Sequence, residues 1–188
     1  ISDEELMQVI AEKQNENAFN ELYQRYSQKM LWFFYKMLNN DEPSAQDFLH
    51  DLFLKIIEKP ESFDRNKKFS SWFFSIAHNM CKNEYRNQST RKTIVRELNL
   101  EMIIDESFSA MNKIDRNTFN QILNEELGEL DEEHRTTFLL RYEEELSIKE
   151  ISEILECAEG TVKSRLFYTT KKLASKLKIF QPLILKTN

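Results

Sequence analysis

Asn79, Lys82, Asn83 and Arg86 stand at i, i+3, i+4 and i+7, the spacing of one helix face. Carboxamides both donate and accept at a base edge while the cations neutralise phosphates, so the face suits nucleic acid with reading and positioning groups together. The stretch before it, Asp64-Arg65-Asn66-Lys67-Lys68, reads as a loop able to wrap an unpaired base, with Arg65, Lys67 and Lys68 supplying charge. A second set, Lys163, Ser164, Phe167 and Lys171, falls at i, i+1, i+4 and i+8 near the end of the chain. An aromatic ring beside Lys and Ser on an outward face can contact thymine methyls in a major groove. A third set is acidic: Asp47, His50, Asp51 and Leu54 form one row, with the leucine set among polar neighbours as in a protein-docking surface. Catalysis finds no comparable pattern. His50, His78 and His134 belong to no nucleophile or metalloprotease arrangement and no glycine-rich phosphate loop is present. His78 and Cys81 offer only two ligands for zinc. The expectation is a protein without catalytic residues, cofactor or metal.

These faces need helices to carry them. Gly128, Gly160, Pro43, Pro60 and Pro182 are the only strong punctuators, whereas a β-sandwich or a doubly wound sheet needs turn residues every ten or so positions. With 40% hydrophobic residues, 14 Phe among them, the 188-residue chain can build a core in each of two small all-α domains. Periodicity marks one helical block from Asp3 to Lys92 and another from Arg116 to Lys178. The weakly periodic stretch 93–115, acidic yet holding Ile94, Val95, Leu98 and Ile103, reads as a linker that lies against something. The division expected is 1–92, 93–115 and 116–188.

In the first block, Ala18, Phe19, Leu22, Tyr23 and Tyr26, continuing through Met30, Phe34 and Leu38, predict a long helix broken by Asn39 through Pro43. A helix over Ser44 to Lys59 is expected to open on a Ser44/Asp47 cap and to bury Phe48, Leu49, Leu52, Phe53, Ile56 and Ile57. Another follows Ser70 or Ser71, with Trp72, Phe73, Ile76, Ala77, Met80 and Cys81 inward. Residues 147–173 predict a short helix, a turn near Glu156 to Cys157 and a second helix, in which Ile148, Ile151, Ile154 and Leu155 pack on Val162, Leu166, Leu173 and Leu177. Glu156 stands where such a turn usually has glycine.

The net charge of −6 conceals segregation by segment. Residues 1–63 hold 12 acidic and 6 basic groups, 64–96 hold 2 and 8, 97–159 hold 18 and 5, and 160–188 hold none and 7. Each half thus ends in a basic segment, as expected if both touch a polyanion. No membrane span and no signal peptide are expected, and two distant cysteines fit reduced thiols, so the expected location is the cytoplasm.

Three stretches, in this order and spacing, resemble the bacterial RNA polymerase sigma factors of the small extracytoplasmic-function group. They are Ala45-Gln46-Asp47-Phe48-Leu49-His50-Asp51-Leu52-Phe53-Leu54-Lys55, Phe69-Ser70-Ser71-Trp72-Phe73-Phe74-Ser75-Ile76-Ala77-His78-Asn79-Met80, and Phe138-Leu139-Leu140-Arg141-Tyr142 with Glu150 to Leu155 and Gly160-Thr161-Val162-Lys163-Ser164-Arg165-Leu166. The resemblance implies that Asp47, His50, Asp51 and Leu54 bind the clamp coiled coil of core polymerase. It implies that Arg65, Lys67, Lys68, Asn79, Lys82, Asn83 and Arg86 engage the melted non-template strand of the minus-ten element. The helix from Gly160 would enter the major groove of the minus-thirty-five element through Thr161, Lys163, Ser164, Phe167, Tyr168 and Lys171. The family usually has an inhibitory anti-sigma partner, and the chain is expected to be monomeric when free. Many relatives carry Arg in place of Lys163 and a basic residue in place of Tyr168, so the promoter sequence does not carry over. The competing reading is a self-sufficient helix-turn-helix regulator with a helical effector domain, which leaves the Asp51/Leu54 surface and the Asn79/Asn83 face unexplained.

Overall fold

A computed structural model describes residues 1–96 and 116–177, with side chains described for 1–88 and 121–177. Most of the stretch 93–115 read as a linker therefore lies outside the described residues. Eight α-helices and no strand occur among those described, which fulfils the all-α expectation: α1 (Asp3–Lys13), α2 (Glu16–Met37), α3 (Glu42–Glu58), α4 (Phe69–Arg96), α5 (Arg116–Gly128), α6 (Glu132–Tyr142), α7 (Ile148–Ile154) and α8 (Glu159–Lys176).

Local chemistry sets the helix starts. Ser2 and Glu5 form a capping box on α1, and Ser147 and Glu150 repeat the device on α7. The Asn15 and Asp131 side chains cap α2 and α6. The start of α3 departs from the expected Ser44 cap: Asp41 is the cap, its carboxylate accepting from the Ser44 amide, and the helix opens two residues earlier. Pro43 explains the shift, because its fixed φ suits the first turn while Asn39 and Asn40 absorb the reversal at φ 57° and 63°. The next helix likewise begins at Phe69 rather than after Ser70, because Glu4 of α1 accepts from the Phe69 amide at 2.9 Å and supplies the cap in trans. At its other end α4 continues to Arg96, past Lys92, through a stretch with neither Gly nor Pro.

The first half packs α1, α2, α3 and α4 around an aromatic core. Phe34, Phe69, Phe73, Leu22, Leu52 and Ile56 are fully buried. Tyr26 and Phe53 meet the Phe73 ring at 5.6 and 5.3 Å, the edge-on packing aromatic quadrupoles favour. The expected stripe of α3 holds except for Ile57, which is 52% exposed. In the second half Leu139, Leu140, Ile151, Ile154, Val162 and Leu173 are buried as the helix-turn-helix pairing requires.

Glu156 itself adopts the left-handed conformation in the turn, at φ 51°. A side chain there costs about 1 kcal/mol that glycine avoids. Glu156→Gly is therefore expected to stabilise the chain by about 0.5 kcal/mol at most, the unfolded-state entropy of glycine offsetting the rest of the gain, as a small rise in the urea midpoint.

Candidate functional site

All three predicted sets reach solvent, and each is a coherent face. On α3, Asp47, His50, Asp51 and Leu54 are exposed on the side opposite Leu49, Leu52, Phe53 and Ile56, and Leu54 is 48% exposed. On α4, Asn79, Lys82, Asn83 and Arg86 are exposed while Phe73, Phe74, Ala77 and Cys81 point into the core. On α8, buried Val162, Thr169 and Leu173 seat the helix, leaving Thr161, Lys163, Ser164, Phe167, Tyr168 and Lys171 outward. Phe167 and Tyr168 are each 60% exposed and meet edge to face at 5.4 Å, with the Lys171 ammonium 6.0 Å from the Phe167 ring. Arg165, by contrast, turns inward, pairing with Glu133 of α6 and reaching the Cys157 sulfur at 3.7 Å.

The loop before α4 is shaped by Asp64, whose carboxylate accepts from the Asn66 amide at 3.0 Å and whose carbonyl accepts from the Lys67 amide. With Glu4 holding the Phe69 amide, both ends of the loop are fixed. Arg65 pairs with Glu12 at 3.0 Å, whereas Lys68 reaches across to the second half and binds Glu150 of α7 at 2.7 Å. That contact closes a cleft of about 1020 Å³ with Lys67, Lys68 and Asn79 on one wall and Glu150, Glu153 and Glu156 on the other. The Lys68 ammonium, then the Ser147 hydroxyl and amide, hold the Glu150 carboxyl far below the usual range, at about 2.

The two halves meet along this cleft and along α6. Arg135 of α6 is buried and donates to the Met37 carbonyl at 3.2 Å, to Asn39 at 2.9 Å and to the Tyr85 hydroxyl at 2.8 Å. Its other terminal nitrogen donates to the carbonyls of Gly128 and Leu130 at 2.6 and 3.0 Å. Lys36 bonds Asn124 of α5 and lies 4.2 Å over the Trp32 ring, and burial lowers its pKa. Next to this seam His78 is pushed down to about 4 by burial and by Lys82 and Arg165, while burial raises Glu132.

Residue types and spacing did not single out Arg135 or the acidic edge of α7. Arg135 has no partner visible in sequence, since its acceptors are backbone carbonyls and side chains 5 to 98 residues away. The signal available for α7 was its acidity beside the basic loop 64–68, a pairing that only the packing of the halves creates.

Comparison with known proteins places these elements in sequence order within one family. The family model for Sigma-70 region 2 matches residues 22–91, and that for Sigma-70, region 4 matches residues 120–173. The chain is 31% identical to the ECF RNA polymerase sigma-E factor of Escherichia coli (strain K12), with 98% of this chain and 97% of the relative covered. It is 28% identical to the ECF RNA polymerase sigma factor SigW of Bacillus subtilis (strain 168), over 88% and 92% of the two chains. Among solved structures, the fold matches CnrH in complex with the cytosolic domain of CnrY (TM-score 0.69, 20% identity, 95% of this chain and 99% of that one). It also matches the sigma factor RpoE in complex with the anti-sigma factor NepR from Bartonella quintana (TM-score 0.68, 20% identity, 86% and 97%).

Lys68→Ala is expected to raise the Glu150 carboxyl from about 2 toward the ordinary range, because the first of its stabilising partners is removed. A carboxyl titration followed by NMR reads this directly; an unmoved Glu150 would mean that Ser147 alone sets it.

Proposed function

The chain belongs to the ECF group of RNA polymerase sigma factors, and we propose that its three exposed faces divide between them the work of promoter recognition and transcription initiation. The observation that carries the division is the separation of the faces. Each is polar and outward on its own helix, backed by a buried apolar row, so three partners can be held without competing for one surface.

On this reading residues 1–92 form the domain that binds core polymerase and reads the minus-ten element, and 116–188 the domain that reads the minus-thirty-five element, with 93–115 connecting them. The α3 face is the polymerase contact: Leu54 offers an apolar knob ringed by Asp47, His50 and Asp51, and the carboxylates set orientation and on-rate against a basic partner. Arg65, Lys67, Lys68, Lys82 and Arg86 neutralise the backbone of the melted strand, leaving Asn79 and Asn83 to bond base edges. On α8, Lys163, Thr161 and Lys171 position the helix on phosphates while Ser164, Phe167 and Tyr168 face the groove floor. Relatives of this fold are held by anti-sigma factors, as with RpoE and NepR, and an anti-sigma protein is the expected inhibitor here. A self-sufficient regulator is not favoured, because the similarity to sigma-E runs through both halves and includes the α3 face.

Asp51→Arg is expected to abolish co-elution with core polymerase on size exclusion while the circular dichroism and thermal midpoint stay at wild-type values. Unchanged co-elution would remove α3 from the polymerase contact.

Lys163→Ala combined with Phe167→Ala is expected to cut transcription from a duplex promoter by an order of magnitude or more, since each good groove contact is worth about 1–3 kcal/mol. Polymerase association should not change, and equal transcript yield would mean that α8 is not the reading helix.

A further inference from the structure

Away from all three faces, one carboxylate is poorly satisfied by the chain's own residues. The Glu144 side chain is 6% exposed, and its ion-pair partner is Lys29, whose ammonium stands 4.0 Å away, beyond hydrogen-bond reach. No hydrogen bond to this carboxylate occurs among the described residues. Burial raises its pKa, and Lys29 counters only part of that. The backbone fixes it in place: α6 ends at Tyr142, the Glu143 and Glu144 amides both donate to the Leu139 carbonyl at 2.9 and 3.2 Å, and Glu145 turns the chain at φ 55°.

Glu144 lines a groove of about 750 Å³, a size typical of small-ligand sites, whose other wall is α2. Gln24, Gln28, Trp32 and Tyr35 stand along that wall at i, i+4, i+8 and i+11. Trp32 and Tyr35 stack at 5.8 Å and 25°, and Trp32 is 44% exposed. Because buried Lys36 already lies over the indole at 4.2 Å, the ring offers flat apolar surface more than attraction for a second cation. Charge then selects the ligand. Glu42, Glu143 and Glu144 face Arg25 and Lys29 across the groove, and Arg25 is held by Asp3 and Glu21 at 2.6 and 2.8 Å. An anion is repelled, and a neutral apolar ligand would cover a charge without pairing it. A metal ion needs more donors, and no group of three His, Cys, Asp or Glu side chains able to hold one occurs among the described residues. A guanidinium meets the requirement: it is planar and weakly hydrated, gives two parallel hydrogen bonds to a carboxylate, and has further donors for the side-chain oxygens of Gln24 and Gln28.

We propose that this groove between α2 and the turn after α6 is a binding site for a guanidinium cation, its charged end on Glu144 and its carbon chain on the Trp32 ring. Lys29, 60% exposed, is the intramolecular competitor, and a surface pair of this kind is displaced at little cost. None of the residues assigned to polymerase or promoter lines the groove, so the site is additional to those roles.

The test follows the indole resonances of Trp32 and Trp72 in the full chain by NMR. Ethylguanidine should shift Trp32 saturably and leave Trp72, which borders the other acidic cleft, in place. Glu144→Gln, which keeps the shape, should weaken binding about tenfold or more, whereas Glu143→Gln, an exposed charge on the rim, should cost about threefold or less. Glu144→Asp, which withdraws the charge by one carbon, should fall between them and guards against a fold effect of the glutamine. Lys29→Ala should tighten binding in wild type and not in Glu144→Gln, because the competition exists only while the carboxylate is charged. Acetyl-Gly-Arg-Gly amide identifies the source of the group: tighter binding than ethylguanidine points to an arginine of a protein segment, equal or weaker binding to a free guanidino compound. Failure of both to move Trp32, equal movement with choline, equal movement of Trp72, or a Glu144→Gln variant that binds like wild type would overturn the site.

Discussion

A guanidinium cannot be left dry and unpaired, and Arg135 is buried where its terminal N–H groups meet carbonyls from both halves of the chain. Its two terminal nitrogens join the end of α2 and the Tyr85 hydroxyl to the turn between α5 and α6. The last carbonyls of α2 have no intrahelical partner, so the arginine resolves a deficit on one half while its own charge is solvated by the other. Around it α6 lies against α2 and α4, and α7 packs directly on α4 beside the basic loop.

That arrangement explains why the chain can hold so much charge next to its core. The buried positions of the first half are mostly apolar and stitched by aromatic rings, while the second half also buries Thr136, Thr137 and Thr169. Buried basic groups gather between the halves: Lys36, His78 and Arg135, with half-buried Glu132 beside them. One apolar cluster runs through both halves, and these polar groups sit where α2 and α4 meet α6.

Helix type, the long α2, the inward rows of α3, α4 and α8, and the outward placement of every candidate site residue were legible because each depends on periods of three and four within one segment. Helix starts were less so. The α3 cap went to Asp41 because Pro43 preorganised an earlier first turn, and α4 began at Phe69 because a carboxylate from α1 closed it, a partner 65 residues away. The Lys68–Glu150 pair was illegible for the same reason on a larger scale: the acidity of α7 and the basicity of loop 64–68 were each readable, but their meeting depends on packing between the halves.

The seam also has a consequence for how the chain answers its solvent. Lys68 with Glu150 and Lys29 with Glu144 span the halves at the surface, where dissolved ions screen them, whereas the apolar cluster beneath is indifferent to salt. The rim of the junction is therefore the part of this fold most responsive to ionic conditions, and its centre the least.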